Sequence, residues 1–256
     1  MALTTNELFS RIKPSQIREF DELFRSVEGC IPMTIGEPDF DMPENVKRAA
    51  IKAIEDNASH YAHTSGEIGV RKAVSEFLEK QYNLHYDPEM EIVMTVGATE
   101  GLFAAAFGLL NPGDQVIIPS PYFPLYSYAV ELNRGECILV DTSDTGFLMT
   151  PELLHKTMAE NKNVKALFLN YPSNPTGATY TKDELIALAD AIKQYDIFVL
   201  SDEIYSEITY GEKHTSIATL LRDRTILFQG ASKAFAMTGW RLGWLGGGHS
   251  SPGYRH

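Results

Sequence analysis

Two regimes of hydrophobic patterning follow one another along this chain. Up to about residue 90 the apolar positions recur at helical spacing. Ile17, Phe20, Phe24 and Val27 follow Pro14 in this way and predict an amphipathic helix over residues 15–27, whose apolar stripe should pack on the body of the protein. Gly36-Glu37-Pro38-Asp39-Phe40 breaks the pattern with Gly and Pro and predicts a loop. A second helix is predicted from Pro43, a residue favoured in a first helical turn, with Val46, Ala50 and Ile54 on its inward face. Another loop, Tyr61 to Gly66, leads into a third helix with Ile68, Val74, Phe77 and Leu78 inward.

From Glu91 onward, short apolar runs alternate with helical patterns. Strands are predicted at Ile92–Val96, Gln115–Ile118, Cys137–Val140, Lys165–Asn170, Ile197–Leu200 and Thr225–Gln229. Helices are predicted at Gly101–Leu110, at Pro151–Glu160, and from a capping box of Thr181 and Glu184 to about Tyr195. This order predicts an α/β fold, a mostly parallel sheet flanked by helices, preceded by an N-terminal helical segment. In such a sheet the carboxyl ends of the strands share one edge, where ligands bind. Gly97, Asn170, Asp202 and Lys233 all lie at or just beyond such ends, so separate local signals converge on one site.

Composition narrows the partners. The 256 residues carry 22 Lys and Arg against 34 Asp and Glu, a net charge of −12. Nucleic acid and anionic membrane are therefore not expected, because both need a basic face. Cys30 and Cys137 have no metal or redox spacing and fit a reducing compartment, and the scattered histidines predict no metal site. Residues 1–16 contain no apolar core, so no signal peptide is predicted. The longest nearly apolar stretch, Gly101 to Leu110, is too short to span a bilayer, and a cytoplasmic location is expected.

The chemistry concentrates after the last predicted strand, in Ser232-Lys233-Ala234-Phe235-Ala236-Met237-Thr238-Gly239-Trp240-Arg241-Leu242-Gly243-Trp244. A desolvated lysine loses part of the cost of deprotonation, and its free amine can attack a carbonyl to give a Schiff base. Arg241 offers a planar fork of donors suited to a phosphate, and Ser232 adds a hydroxyl beside the lysine. Together they point to pyridoxal 5'-phosphate. Gly97-Ala98-Thr99-Glu100 opens a helix with small residues, which lets backbone N–H groups approach an anion, although no dinucleotide fingerprint is present. Asp202 ends a buried strand and needs a cationic or donor partner, and a pyridinium nitrogen is one such partner. Asn174 stands between Pro172 and Pro175 with its amide free to meet a ligand, and the loop Pro119 to Pro124 presents Tyr122 and Phe123.

The lysine segment resembles the lysine motif of the class I/II aminotransferases, the fold-type I pyridoxal-phosphate enzymes, and the likeness runs from about Pro14 to Gly247. It implies that Lys233 carries the cofactor and moves the substrate proton, with Asp202 at the ring nitrogen and Asn174 and Tyr205 at the ring oxygen. It further implies Phe123, rather than Tyr122, against the ring, and Ala98, Thr99, Ser232 and Arg241 at the phosphate. By the same resemblance Tyr61 reaches the partner subunit's phosphate in a homodimer, and Gly36 and Asn174 border the substrate. The implied reaction moves an amino group between an amino acid of aspartate or aromatic type and a 2-oxo acid. A carbon–sulfur β-lyase and a non-catalytic cofactor-binding protein are the alternatives. Residues 1–40 are expected to form an N-terminal arm and helix of a small domain, and residues 41–247 the cofactor-binding large domain. Residues 248–256 depart from the family, whose members continue and complete the small domain with an arginine for the substrate carboxylate. An incomplete small domain is therefore expected.

Overall fold

The computed structural model describes residues 3–4, 6–10 and 16–248, so the expected tail of residues 248–256 lies, apart from Gly248, outside the described residues. Two compact units are present, Met1–Asp41 and Met42–His256. In the first, helix α1 covers Gln16–Arg25. The packing expected for its stripe is not found within its own unit, since Ile17, Phe20, Phe24 and Val27 are all exposed. A polar contact orders this unit instead: the side chain of Asp21 accepts hydrogen bonds from Arg25 and Thr34.

The second unit opens with helix α2, Glu44–Glu55, and helix α3, Ile68–Tyr82. Val46 of α2 packs on the core, but Ile54 is 78% exposed, so the predicted inward face extends over the first part of that helix only. The alternating series follows as β1 (Ile92–Val96), α4 (Gly97–Leu109), β2 (Gln115–Ser120), α5 (Leu125–Leu132), β3 (Glu136–Asp141), α6 (Pro151–Glu160), β4 (Val164–Asn170), α7 (Lys182–Ile192), β5 (Phe198–Asp202), β6 (Thr225–Gly230), α8 (Ala231–Ala234) and β7 (Leu242–Gly247). The capping box of Thr181 and Glu184 is formed at the start of α7.

These strands make a seven-stranded sheet in the order β1-β7-β6-β5-β4-β2-β3. Period-two alternation divides its side chains between two faces. Ile117, Leu167, Leu169 and Val199 pack with Leu154 of α6 and Leu185 and Leu188 of α7. Val116, Ile118, Ala166, Phe168 and Leu200 pack with Leu102 and Ala106 of α4 and Tyr126 and Val130 of α5. A third cluster joins Val74, Leu78 and Tyr82 of α3 to Ile92, Leu227 and Trp244. Burial of each leucine of this kind contributes about 1.5–3 kcal/mol, which makes the two-sided sheet the main source of stability. Among the described residues, no helix is long and apolar enough to cross a membrane.

The sequence pattern does not mark β7. It runs antiparallel between β1 and β6, whereas the other neighbouring pairs are parallel. Its glycines lower strand propensity, and pairing on both sides supplies what the sequence lacks. Reversal of β7 has a direct consequence: its first residues, not its last, lie at the edge where β4, β5 and β6 end.

Candidate active site

At that edge, β4 and β5 lie side by side in register, with Asn170 opposite Asp202. The Asn170 amide donates to the backbone carbonyl of Asp202 at 2.9 Å, and its Oδ1 accepts from the backbone N–H of Asn174 at 2.7 Å. One side chain thereby sets the start of the loop that carries Asn174. The Asn174 side chain faces the Tyr205 hydroxyl and favours its ionised form, and Nζ of Lys233 stands 5.8 Å from the centroid of the Tyr205 ring. Lys233, Tyr205, Asn174, Asn170 and Asp202 thus form one run of contacts drawn from three strand ends.

Asp202 is only 4% exposed. Its Oδ2 accepts from the Tyr126 hydroxyl at 2.7 Å, and its Oδ1 from the backbone N–H of Ile204 at 3.2 Å. Burial outweighs both bonds and pushes the carboxyl up to about 6, with the neighbouring charge of Glu203 adding to the rise. A buried acid of this kind is satisfied best by a cationic N–H. The Tyr205 hydroxyl is also held above its ordinary range, by burial first and then by the charge of Asp202, so it stays a donor at neutral pH. Phe123 meets the Tyr126 ring edge-on, with centroids 5.7 Å apart, while Tyr122 rather than Phe123 lines the cleft beside Asn170 and Asn174.

A second group lies where β1 turns into α4. Gly97 adopts φ +71°, in the left-handed region, and a methyl group there would run into the guanidinium of Arg241. Gly243 is pressed equally close: a Cβ on it would meet the backbone of Gly97 and Ala98, and Gly230 lies opposite it in the β6–β7 pair. The guanidinium therefore sits beside the opening N–H groups of α4, where Ala98 and Thr99 stand in the first turn. Both features favour an anion, in a protein whose net charge is −12. Gly230 leads directly into α8, which carries Ser232 and Lys233, so this cradle adjoins the lysine.

With this geometry in place, comparison with known proteins is decisive. The family model for aminotransferase class I and II matches residues 28–251. The chain belongs to the class I and II aminotransferases. A probable N-acetyl-LL-diaminopimelate aminotransferase of Bacillus subtilis is 44% identical over 91% of this chain and 59% of its own length. Aromatic-amino-acid aminotransferase 2 of Thermococcus litoralis is 38% identical over 95% of this chain and 63% of its own length. The structure of aspartate aminotransferase from Thermus thermophilus with maleate superposes with a TM-score of 0.90 at 37% identity, covering 96% of this chain and 65% of that one. The chain thus spans about three-fifths of the length of the aminotransferases it matches.

Within this aminotransferase chain, Tyr61 lies on an exposed loop and is not among the residues gathered at Asp202. Gly36 belongs to the first unit. Sequence reasoning missed Tyr126 and gave Asn170 no role. Tyr126 lies in α5, a helix of only eight residues that follows directly on the Pro119 to Pro124 loop. Its stacking on Phe168, at 4.7 Å between centroids, is a contact between segments far apart in sequence.

Proposed function

We propose that this chain binds pyridoxal 5'-phosphate and belongs to an amino-acid aminotransferase that moves an amino group between an amino acid of aspartate or aromatic type and a 2-oxo acid. The observation that carries this reading is the junction of two unlike half-sites at one sheet edge. One is a cationic cradle of Arg241 and the start of α4. The other is the network of Lys233, Tyr205, Asn174 and Asp202.

The residues fit the cofactor group by group. Arg241, Ser232, Ala98 and Thr99 would hold the phosphate, and Phe123, which meets the Tyr126 ring beside Asp202 rather than lining the Tyr122 cleft, would face the ring. Asn174 and Tyr205 would donate to the ring oxygen. Asp202, made reluctant to ionise by burial, would keep a proton on the ring nitrogen and gain a cationic partner in return. When bound, the cofactor supplies an electron sink that lowers the cost of removing a proton next to an amino group. Nζ of Lys233 would take up that proton and return it, which needs an amine that alternates between charge states in a half-buried setting. Gly36 and Asn174 would border the substrate, and the aspartate and aromatic names of the matched relatives support the substrate class. Two cysteines without metal or redox spacing support a cytoplasmic setting, and the first unit is read as part of a small domain.

Borohydride reduction after incubation with pyridoxal phosphate is expected to fix one cofactor per chain on the tryptic peptide containing Lys233. Lys233→Ala should bind the cofactor reversibly and without label. Label on another lysine, or none at saturating cofactor, would overturn the assignment.

A further inference from the structure

Behind the site lies a buried carboxylate with no part in the scheme above. Glu203 follows Asp202 at the end of β5 and is fully buried. Alternation sends it to the opposite face of the sheet from Asp202. Its Oε1 accepts from the hydroxyls of Ser201 at 2.8 Å, Ser216 at 2.9 Å and Tyr171 at 3.1 Å, and its Oε2 lies 2.7 Å from Nε2 of His214. His214 is itself buried and stacks on Tyr171 with centroids 5.0 Å apart. A charge taken out of water is tolerated only with such a full set of donors.

The origin of those donors matters more than their number. Tyr171 follows Asn170 directly and lies at the base of the loop that presents Asn174. His214 and Ser216 close the loop that leaves β5 at Glu203 and presents Tyr205. The tips of these two loops meet where the Asn174 side chain faces the Tyr205 hydroxyl. We propose that Glu203 is a positioning residue that staples the bases of both loops to β5, and so holds Asn174 and Tyr205 together as a two-donor clamp for one ligand oxygen. This rests on the reading of Asn174 and Tyr205 as partners of the cofactor's ring oxygen. Arg241 and the start of α4 hang on other elements, so the staple acts on the ring half of the site and not on the phosphate half.

That separation supplies the test. Binding of pyridoxal phosphate and of its analogue lacking the ring hydroxyl is compared by titration in the intact protein. The parent should prefer the hydroxylated compound by about tenfold, the worth of roughly one net hydrogen bond. Tyr171→Phe, which cuts the hydroxyl's bond to Glu203 and the one it accepts from the backbone N–H of Ile217, should remove most of the preference while leaving affinity for the analogue within about twofold. Glu203→Leu should remove it entirely, and Glu203→Gln, which keeps an acceptor for the three hydroxyls, should restore most of it. A structural role without positioning would weaken both compounds alike, and that result would overturn the proposal. Hydrogen exchange on cofactor-free protein decides the staple separately. Tyr171→Phe lacks two hydrogen bonds of the parent and should speed exchange at the amides of Gly177 and Ile208, which are bonded within the two loops. Unchanged exchange there would refute the staple, whereas failure of the parent to bind either compound would count against the proposed function alone.

Discussion

Asp202 shows what a single residue contributes before any ligand arrives. Its carboxyl rises from an ordinary 3.8 to about 6 because burial disfavours the charged form. Below pH 3.8 the acid is protonated in both folded and unfolded chains and costs nothing. As pH rises towards 6 the unfolded chain ionises first, so the cofactor-free protein loses stability across that window and keeps the deficit above it. At about 1.4 kcal/mol per pH unit, the full deficit is of the order of 3 kcal/mol. Asp202→Asn should remove this slope, and urea titrations from pH 4 to 7 will reveal it as a parent curve that falls towards the variant's level or below it. Parallel curves for the two proteins would count against the raised carboxyl. The same group was legible in the sequence, because a carboxylate ending an apolar strand has to be paired. Tyr126, which donates to it, was not, because their 2.7 Å contact joins residues 76 positions apart.

Among the elements, β7 and its packing against α4 decide whether the two half-sites meet. Gly243 has no space for a methyl group against the backbone of Gly97 and Ala98, and backbone cannot step aside as a flexible side chain can. Gly243→Ala should therefore push β7 away from α4, lower stability by about 1–3 kcal/mol, and weaken binding of inorganic phosphate. Thr181→Ala is the control. It removes the N-cap of α7 on the opposite face and should cost about 1 kcal/mol in stability without changing phosphate affinity. Calorimetry and phosphate titration on both variants measure the split, and equal phosphate affinity in Gly243→Ala and parent would show that the cradle does not depend on this contact. Most helices and parallel strands were legible because apolar runs alternate with turn signals along the chain. β7 was not, since Leu-Gly-Trp-Leu-Gly-Gly carries little strand propensity and pairs on both sides only after β1 and β6 are in place.

At the scale of the whole molecule, the Tyr61 loop looks outward from a firm base. Arg71 is buried and donates to the carbonyls of Gly66 at 3.0 Å, Pro88 at 2.6 Å and Glu89 at 3.1 Å, while the Tyr61 ring itself is fully exposed. This fits the homodimer expected from the family resemblance, in which Tyr61 would serve the partner's phosphate site. Mixing Tyr61→Phe protein with Lys233→Ala protein should then produce dimers with one native site each, read as recovered tight cofactor retention. A monomer that retains cofactor as well as the parent would contradict this. The sequence by itself determined the α/β class, the edge at which Gly97, Asn170, Asp202 and Lys233 gather, and the family to which the chain belongs. The class and the edge follow from local periodicity and from the solvation cost of single groups, the family from the lysine motif. Only the tertiary structure decided that β7 is reversed, that Arg241 therefore lies against Gly97, that Tyr126 bonds Asp202, and that Glu203 ties the Asn174 and Tyr205 loops together. Each of these depends on which distant segments pack side by side, and that choice is made by the assembled sheet rather than by any one stretch of chain.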